Sequence, residues 1–255
     1  MEAAPFGAVF ICGVSRYHAP MSEPQIDFAW GGAGLTALLD VCDVFVVIDV
    51  LCFTTAVDVA VACGAEVLPF PLGKYGADEL ARSGEAVLAK PREEAAGGPS
   101  LSPPSLRHLK AGTRLVLPSP NGSALSAMLQ DRTAYAGSLR NAAAVAAAAA
   151  TAGQRIAVIA GGEHWPGGSL RPALEDLLGA GAVIARLRGR PTPEARAARA
   201  AYLELKDELG ATLHGCLSGR ELIERGFRED VEMASATDVS RAVPALVEGR
   251  YRNVA

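Results

Sequence analysis

Residues 44–65 read VFVVIDVLCFTTAVDVAVACGA, and the fold of the chain turns on them. Residues 44–50 form an almost unbroken apolar, largely β-branched run, the pattern of a strand covered on both faces in a parallel sheet. Asp49 interrupts the run near its carboxyl end. Thr54 or Thr55 suits the cap of a short helix, with Val57, Ala60 and Val61 on one face and Gly64 placed to end it. A carboxylate at the end of a buried strand, next to the free N–H groups of a helix N-terminus, is a common foundation for a ligand site in α/β proteins. An unpaired buried carboxylate costs on the order of several kcal/mol, so Asp49 points to use as a metal ligand or base. Its blander role would be to accept backbone N–H bonds.

The same rhythm continues on both sides. Gly31-Gly32-Ala33-Gly34 opens a helix through Leu39, and strands fall at 66–70, 86–89, 114–118, 133–136 and 155–160. Helices fall at 77–82 and 124–129, and an alanine-rich helix runs to about Ala152. From Arg171 to about Arg225 the chain is mainly helical, with a break at 188–193. This alternation predicts an α/β fold, a parallel or mixed sheet layered between helices, with room for two lobes and a cleft between them. Residues 90–105, KPREEAAGGPSLSPPS, read as a surface loop that would serve as a lid or a linker. Residues 1–20 carry little pattern and Met21 suits a biological start. We therefore expect an N-terminal extension over 1–20 and one domain over 21–255.

A net charge of −4 over 255 residues gives no electrostatic case for nucleic acid or an anionic membrane. The longest apolar stretches are alanine-rich and interrupted, too weak to span a bilayer, and no basic segment followed by an apolar core opens the chain. Cys12, Cys42, Cys52, Cys63 and Cys216 are scattered with no C-x-x-C spacing, which suits a reduced, cytoplasmic setting and disfavours zinc. The four histidines are isolated from one another. Composition fixes no oligomeric state, and a homo-oligomer is allowed.

Four turns follow predicted strands, at 51–55, 119–123, 137–141 and 161–168, and in an α/β sheet such turns gather at one edge. Their contents suit a small oxyanion. Asn121, Gly122 and Ser123 offer an amide, close backbone approach and a hydroxyl; Arg140 and Arg171 offer planar forks for phosphate, sulfonate or carboxylate. Arg140 at a helix start opposes the helix dipole, which argues for a ligand partner. Asp49, Glu163, Glu175 and Asp176 are carboxylates able to bind a hard cation such as Mg²⁺. Each has a structural alternative: turn and cap for Asn121 to Ser123, solvated surface for Arg140, separate helix roles for Glu175 and Asp176. P-loop, G-x-S-x-G and G-x-G-x-x-G signatures are missing where they would matter. Haloacid-dehalogenase-type phosphatases carry a second Asp two residues after the first, where Leu51 stands.

Taken in order, the segments Ile48-Asp49-Val50-Leu51 with Thr54-Thr55, Asn121-Gly122-Ser123, Gly137-Ser138 with Asn141, Leu174-Glu175-Asp176, Ala180-Gly181-Ala182, Ser218 to Leu222 and Gly226-Phe227 with Glu229-Asp230-Val231 resemble the 2-phosphosulfolactate phosphatase (ComB-type) family. The resemblance runs from about Phe28 to the C-terminus. It implies an α/β fold and Mg²⁺-dependent hydrolysis of a small phosphorylated acid, (R)-2-phospho-3-sulfolactate or an analogue, to the free acid and phosphate. On that reading Asp49, Glu175 and Asp176 hold Mg²⁺, and Asn121 and Ser123 act with Asp49 in catalysis. Thr54, Thr55, Arg140, Asn141 and Arg171 would bind the anionic substrate. The chain departs from the family pattern where Arg is usual: Cys52 follows Asp-Val-Leu, and Ala124 follows Asn-Gly-Ser. A Gly-Glu-Arg and an Asn-Ser-Pro segment are replaced by Ala89-Lys90-Pro91 and Leu101-Ser102-Pro103. Two alternatives follow: a catalytically silent member that binds a small anion, or a hydrolase using Cys52, whose place at a helix start could activate its thiol.

Overall fold

A computed structural model describes residues 23–72 and 76–255. The expected extension over 1–20 lies outside them.

The elements follow one another as β1 (Gln25–Trp30), α1 (Gly31–Leu38), β2 (Val44–Ile48), α2 (Phe53–Ala62), β3 (Glu66–Pro71), α3 (Ala77–Ser83) and β4 (Val87–Leu88). Next come β5 (Arg114–Ser119), α4 (Gly122–Ala127), β6 (Thr133–Gly137), α5 (Ala142–Ala152), β7 (Arg155–Ala160), β8 (Glu163–His164) and β9 (Leu170–Arg171). The chain closes with α6 (Leu174–Arg186), β10 (Arg190–Pro191), α7 (Pro193–Leu205), α8 (Leu209–Gly215), α9 (Leu217–Glu224), α10 (Arg228–Ser235), β11 (Pro244–Val247) and β12 (Arg250–Asn253). The predicted alternation is present with its boundaries moved by a few residues.

Ten strands form one mixed, mostly parallel sheet in the order β10-β1-β7-β2-β6-β11-β12-β3-β5-β4. The strands from β10 to β6 are parallel among themselves, as are β3, β5 and β4. The antiparallel hairpin β11–β12 joins the two blocks, β11 pairing with β6 and β12 with β3. β2 sits inside the first block, between β7 and β6. Its apolar run is explained by that place: Val44, Val46 and Ile48 enter one core, and Phe45 and Val47 enter the other. The first core is roofed by residues of α5 to α10, the second by residues of α1, α2 and α4 with the fully buried Tyr251. Helices thus cover both faces of the sheet, as the apolar pattern requires.

Two glycines of α6 set how closely the layers approach. A Cβ on Gly179 would lie 2.6 Å from a methyl of Val50, and one on Gly181 would lie 2.2 Å from the Ala198 carbonyl of α7. The Ala180-Gly181-Ala182 segment is therefore a packing seam. Residues 90–105 connect neighbouring strands of the sheet through two 3₁₀ turns, Arg92–Glu94 and Pro103–Leu106. Among the described residues no helix is long and apolar enough to cross a membrane.

Strand β1, the two-residue strands β8, β9 and β10, helix α10 and the β11–β12 hairpin escaped the sequence pattern. β1 mixes polar Gln25 and Asp27 into its run, and the Gln25 side chain donates to Asp27 (3.2 and 3.1 Å). The β11–β12 hairpin carries a usable signal in Glu248-Gly249. Both residues have positive φ (48° and 76°), the conformation a two-residue hairpin turn demands.

Candidate functional site

Asp49 is the first residue beyond β2 and is 5 % exposed. Its Oδ2 accepts the Gly122 N–H at 2.7 Å and its Oδ1 the Phe53 N–H at 3.3 Å, so the carboxylate bridges the starts of α4 and α2. The approach needs glycine at 122, because a Cβ there would lie 2.1 Å from the Phe53 ring and 2.8 Å from Asp49 Oδ2. Thr54 serves the same corner from behind: its hydroxyl donates to the Asp49 carbonyl (2.8 Å) and accepts the Asp49 N–H (3.1 Å). The Thr55 hydroxyl donates to the Val50 carbonyl at 2.8 Å. Both threonines are fully buried, and in place of an ordinary cap they lock the strand–helix corner.

The ends of β2, β5 and β7 meet here. The Gly161 N–H donates to the Ile48 carbonyl at 2.7 Å, and a Cβ on Gly161 would sit 3.5 Å from Asp49 Cβ and 3.6 Å from Asn121 Cβ. Asn121 donates its Nδ2 to Glu163 Oε2 at 3.0 Å, while its Oδ1 is buried with no partner. Asp176 accepts the Val50 N–H (2.7 Å) with one oxygen and the Gly162 N–H (2.8 Å) with the other, stapling the ends of β2 and β7. Glu175 is 2 % exposed, and its Oε2 faces the Cys216 thiol at 3.5 Å.

So many acids in little water repel one another. Burial first, then the charge of Glu163, pushes the Asp49 pKa up to about 7, against the lowering effect of its two N–H bonds. Burial, with Asp49 and Glu175 next, holds the Asp176 carboxyl well above its usual range. Glu163 is raised as well, chiefly by burial. A cleft of about 700 Å³ opens over this corner, and its walls include Asp49, Asn121, Glu163, Cys52 and Arg92.

The other residues singled out in the sequence divide by what covers them. Ser123 donates to the Leu117 carbonyl at 2.9 Å, a turn contact. The turn at 137–141 is capped by residues 236–242: Asp238 N–H donates to the Leu139 carbonyl (3.0 Å) and Ser240 N–H to that of Arg140 (2.9 Å). Asn141 accepts the Ser138 N–H (2.8 Å) and donates to the carbonyls of Ala136 (3.2 Å) and Ala242 (3.4 Å). Arg140 pairs through Nε with buried Asp58 at 2.8 Å and donates to the Met233 carbonyl at 3.3 Å. That partner answers the unfavourable placement of a cation near a helix start. Neither Arg140 nor Asn141 lines the cleft. Arg171 stands behind its wall, 3.4 Å from the Ser218 hydroxyl, 3.3 Å from Glu221 and stacked on Trp165. Burial raises the Cys52 thiol far above its ordinary range, so Cys52 is a buried thiol and no activated nucleophile.

The expected trio Asp49, Glu175 and Asp176 does not gather as a ligand set. Among the described residues no three His, Cys, Asp or Glu side chains are grouped to hold a metal ion. A smaller donor set does fit a hard cation. Asp49 and Glu163 are carboxylates whose negative charges repel across a desolvated corner, and the unpartnered Asn121 Oδ1 lies beside them. Mg²⁺ is commonly held by one or two carboxylates, with waters and substrate phosphate completing its shell. Glu163 was one carboxylate among four in the sequence; its contact with Asn121 across 42 positions distinguishes it. Arg92 had no sequence signal, since it looks like one more charge in a polar loop.

Fold and site together define an α/β protein with a small-molecule cleft at converging strand ends and an acidic, desolvated corner inside it. The chain belongs to the 2-phosphosulpholactate phosphatase family, whose sequence profile matches residues 35–249. Proteins named "Probable 2-phosphosulfolactate phosphatase" from Thermotoga maritima (28 % identical over 215 residues) and Thermotoga petrophila (30 % over 220) are similar to it. Each alignment covers 82 % of this chain and 92 % of the relative. A Pseudothermotoga lettingae protein of the same description is 28 % identical over 214 residues, covering 82 % and 91 %.

Proposed function

We propose that this chain hydrolyses the phosphate ester of a small acid, 2-phosphosulfolactate or an analogue, with Mg²⁺ as cofactor. The observation that carries the proposal is the juxtaposition of Asp49, Glu163 and Asn121 on the wall of a substrate-sized cleft, with the Asn121 Oδ1 buried and unpartnered behind it. Family membership supplies the class of reaction. Asp49, Glu163 and Asn121 would hold Mg²⁺, which when bound supplies charge neutralisation for the phosphoryl oxygens.

The residues of the chain divide the remaining work. Asp49 has both oxygens fixed by N–H donors, so it is a rigid ligand whose position survives turnover. Glu163 is held by one amide contact and keeps an oxygen with no hydrogen bond among the described residues. That free oxygen and freer side chain suit it to take a proton from the attacking water. Asp176, Thr54 and Gly122 act by holding the three strand ends in place. Arg171 positions the Ser218–Glu221 wall from behind.

Two conservative variants test this division. Glu163→Gln keeps the shape and is expected to lower kcat by roughly 10²–10⁴-fold, the range for loss of a general base. The Tm of that variant without substrate is expected to stay close to wild type. An unchanged kcat would remove Glu163 from the mechanism. Should wild type bind phosphate compounds, seen as a ligand-dependent rise in Tm, yet release no phosphate, the silent anion-binding alternative would stand instead. Cys52 and Ala124, in positions where the family usually has Arg, are what favour that alternative.

A further inference from the structure

The geometry points to Arg92 as the group that recognises a second acidic group on the substrate, a carboxylate or sulfonate carried beside the phosphate, with Asp230 as its positioning residue. This rests on the phosphate-ester reading of the cleft and specifies which residue receives the acid group of that substrate.

Position 52 follows the Asp-Val-Leu segment, and its thiol supplies no cation. The structure brings one there from elsewhere. Arg92, in the 3₁₀ turn after β4, donates its Nε to Asp230 Oδ2 at 2.9 Å, and the Cys52 thiol lies 3.7 Å from that same oxygen. The guanidinium therefore stands beside residue 52, and both residues line the cleft with Asp49 and Glu163. Its side chain is 10 % exposed and stacks on Phe227 with 5.6 Å from the guanidinium carbon to the ring centre. Asp230 is 1 % exposed, and its other oxygen accepts the Ser102 hydroxyl at 2.5 Å. One carboxylate thus fixes the Cys52 corner and both ends of the 90–105 segment, making that segment a fixed wall of the cleft.

What Asp230 leaves open is the outer edge of the fork. Only Nε donates to an oxygen, and none accepts from either Nη group among the described residues. A planar, partly desolvated pair of N–H donors matches a carboxylate or sulfonate in bidentate fashion. The cleft's other cations are poorer candidates. Lys90 is exposed, and Arg225 is half exposed and paired with Glu93 at 2.5 Å. With Asp49, Glu163 and Glu221 also on the walls, an acidic substrate arm is repelled unless a cation receives it. A purely structural Arg92–Asp230 pair would anchor the loop but would not distinguish acidic from neutral substrates, and this difference supplies the test.

The test compares kcat/KM for 2-phosphoglycolate, which carries a carboxylate, with that for ethyl phosphate, which does not, both with Mg²⁺. Arg92→Gln is expected to lower the ratio of the two by about 10–100-fold, the loss of a charge-assisted hydrogen-bonding pair. Arg92→Lys, which keeps the charge and loses the fork, should lower it by about 3–10-fold. Lys also serves as the readout if the Gln variant does not fold. Asp230→Asn should move the ratio in the same direction through its hold on Arg92. A ratio that stays at the wild-type value in a folded Arg92 variant, whether both rates fall or neither does, overturns the assignment. If wild type releases phosphate from neither compound, the hydrolytic reading is judged separately on phosphate release from 2-phosphosulfolactate. The same ratio is then read as Kd by calorimetry with the same two compounds, and an unmoved Kd ratio in Arg92→Gln or Arg92→Lys overturns the role of Arg92.

Discussion

Asp49 owes its geometry to the fold and its chemistry to the crowding around it. Two N–H donors place its oxygens, and neighbouring acids decide how readily it holds a proton. Asp49→Asn would turn an NH₂ group toward one of those N–H donors, so it is expected to cost about 1–3 kcal/mol of stability in chemical denaturation. It should also lower kcat by about 10²–10³-fold or more in a phosphate-release assay. The protonation argument has a definite sign. The pKa of Asp49 is raised from 3.8 to about 7 on folding and that of Asp176 is raised well above 3.8. The folded chain therefore keeps protons that the unfolded chain has released. This stabilising contribution is complete below pH 3.8 and is lost as pH rises through about 7. In chelator, Tm should fall between pH 5.5 and 8, and added Mg²⁺ should raise it more at pH 8, where the carboxylates are ionised. A Tm that rises over this interval in chelator would contradict the crowding of acids at the corner.

At the scale of elements, what was readable in the sequence followed from burial. β2 lies between two cores, so both of its faces had to be apolar and the run at 44–50 announced it. Gly181 stood in a recognisable segment, and Gly179 just before it, for a reason visible only in three dimensions, the close approach of α6 to α7 and to the end of β2. Gly181→Ala is expected to destabilise the chain by about 1–3 kcal/mol or more, measured by urea unfolding, because its methyl would meet a backbone carbonyl that has nowhere to move. The C-terminal hairpin was missed because a four-residue strand on each side of Glu248-Gly249 carries little pattern. Yet β12 delivers Tyr251, which is fully buried, packs edge-on to Phe53 and hydrogen-bonds Ser126 at 2.7 Å. Tyr251→Ala should cost about 3–5 kcal/mol, and Tyr251→Phe only about 1 kcal/mol, since the ring keeps its packing. The cations were the hardest residues to read. Arg140 looked like a ligand because nothing nearby in the sequence answered it, and its partner Asp58 is 82 positions away. Arg92 gave no signal for the same reason, with Asp230 at a separation of 138.

Across the whole molecule, strand ends from both parallel blocks are brought to one corner, and a loop from the second block closes its side. Asp49 comes from the end of β2, Asn121 from beyond β5, Glu163 from beyond β7, and Arg92 from the segment after β4. The turn after β6 was expected to join them and instead lies under residues 236–242, so the site draws on fewer turns than the alternation alone suggested. On the proposed reading the acidic corner would take a cation and the guanidinium wall would receive an acid, as a phosphate ester carrying a second negative group requires. The most direct test is phosphate release from 2-phosphosulfolactate by the purified full chain, in Mg²⁺ and in chelator. Turnover with Mg²⁺ that chelator abolishes and renewed Mg²⁺ restores is the predicted result; no phosphate release with Mg²⁺ present, by a chain that is folded and binds the compound, would contradict it.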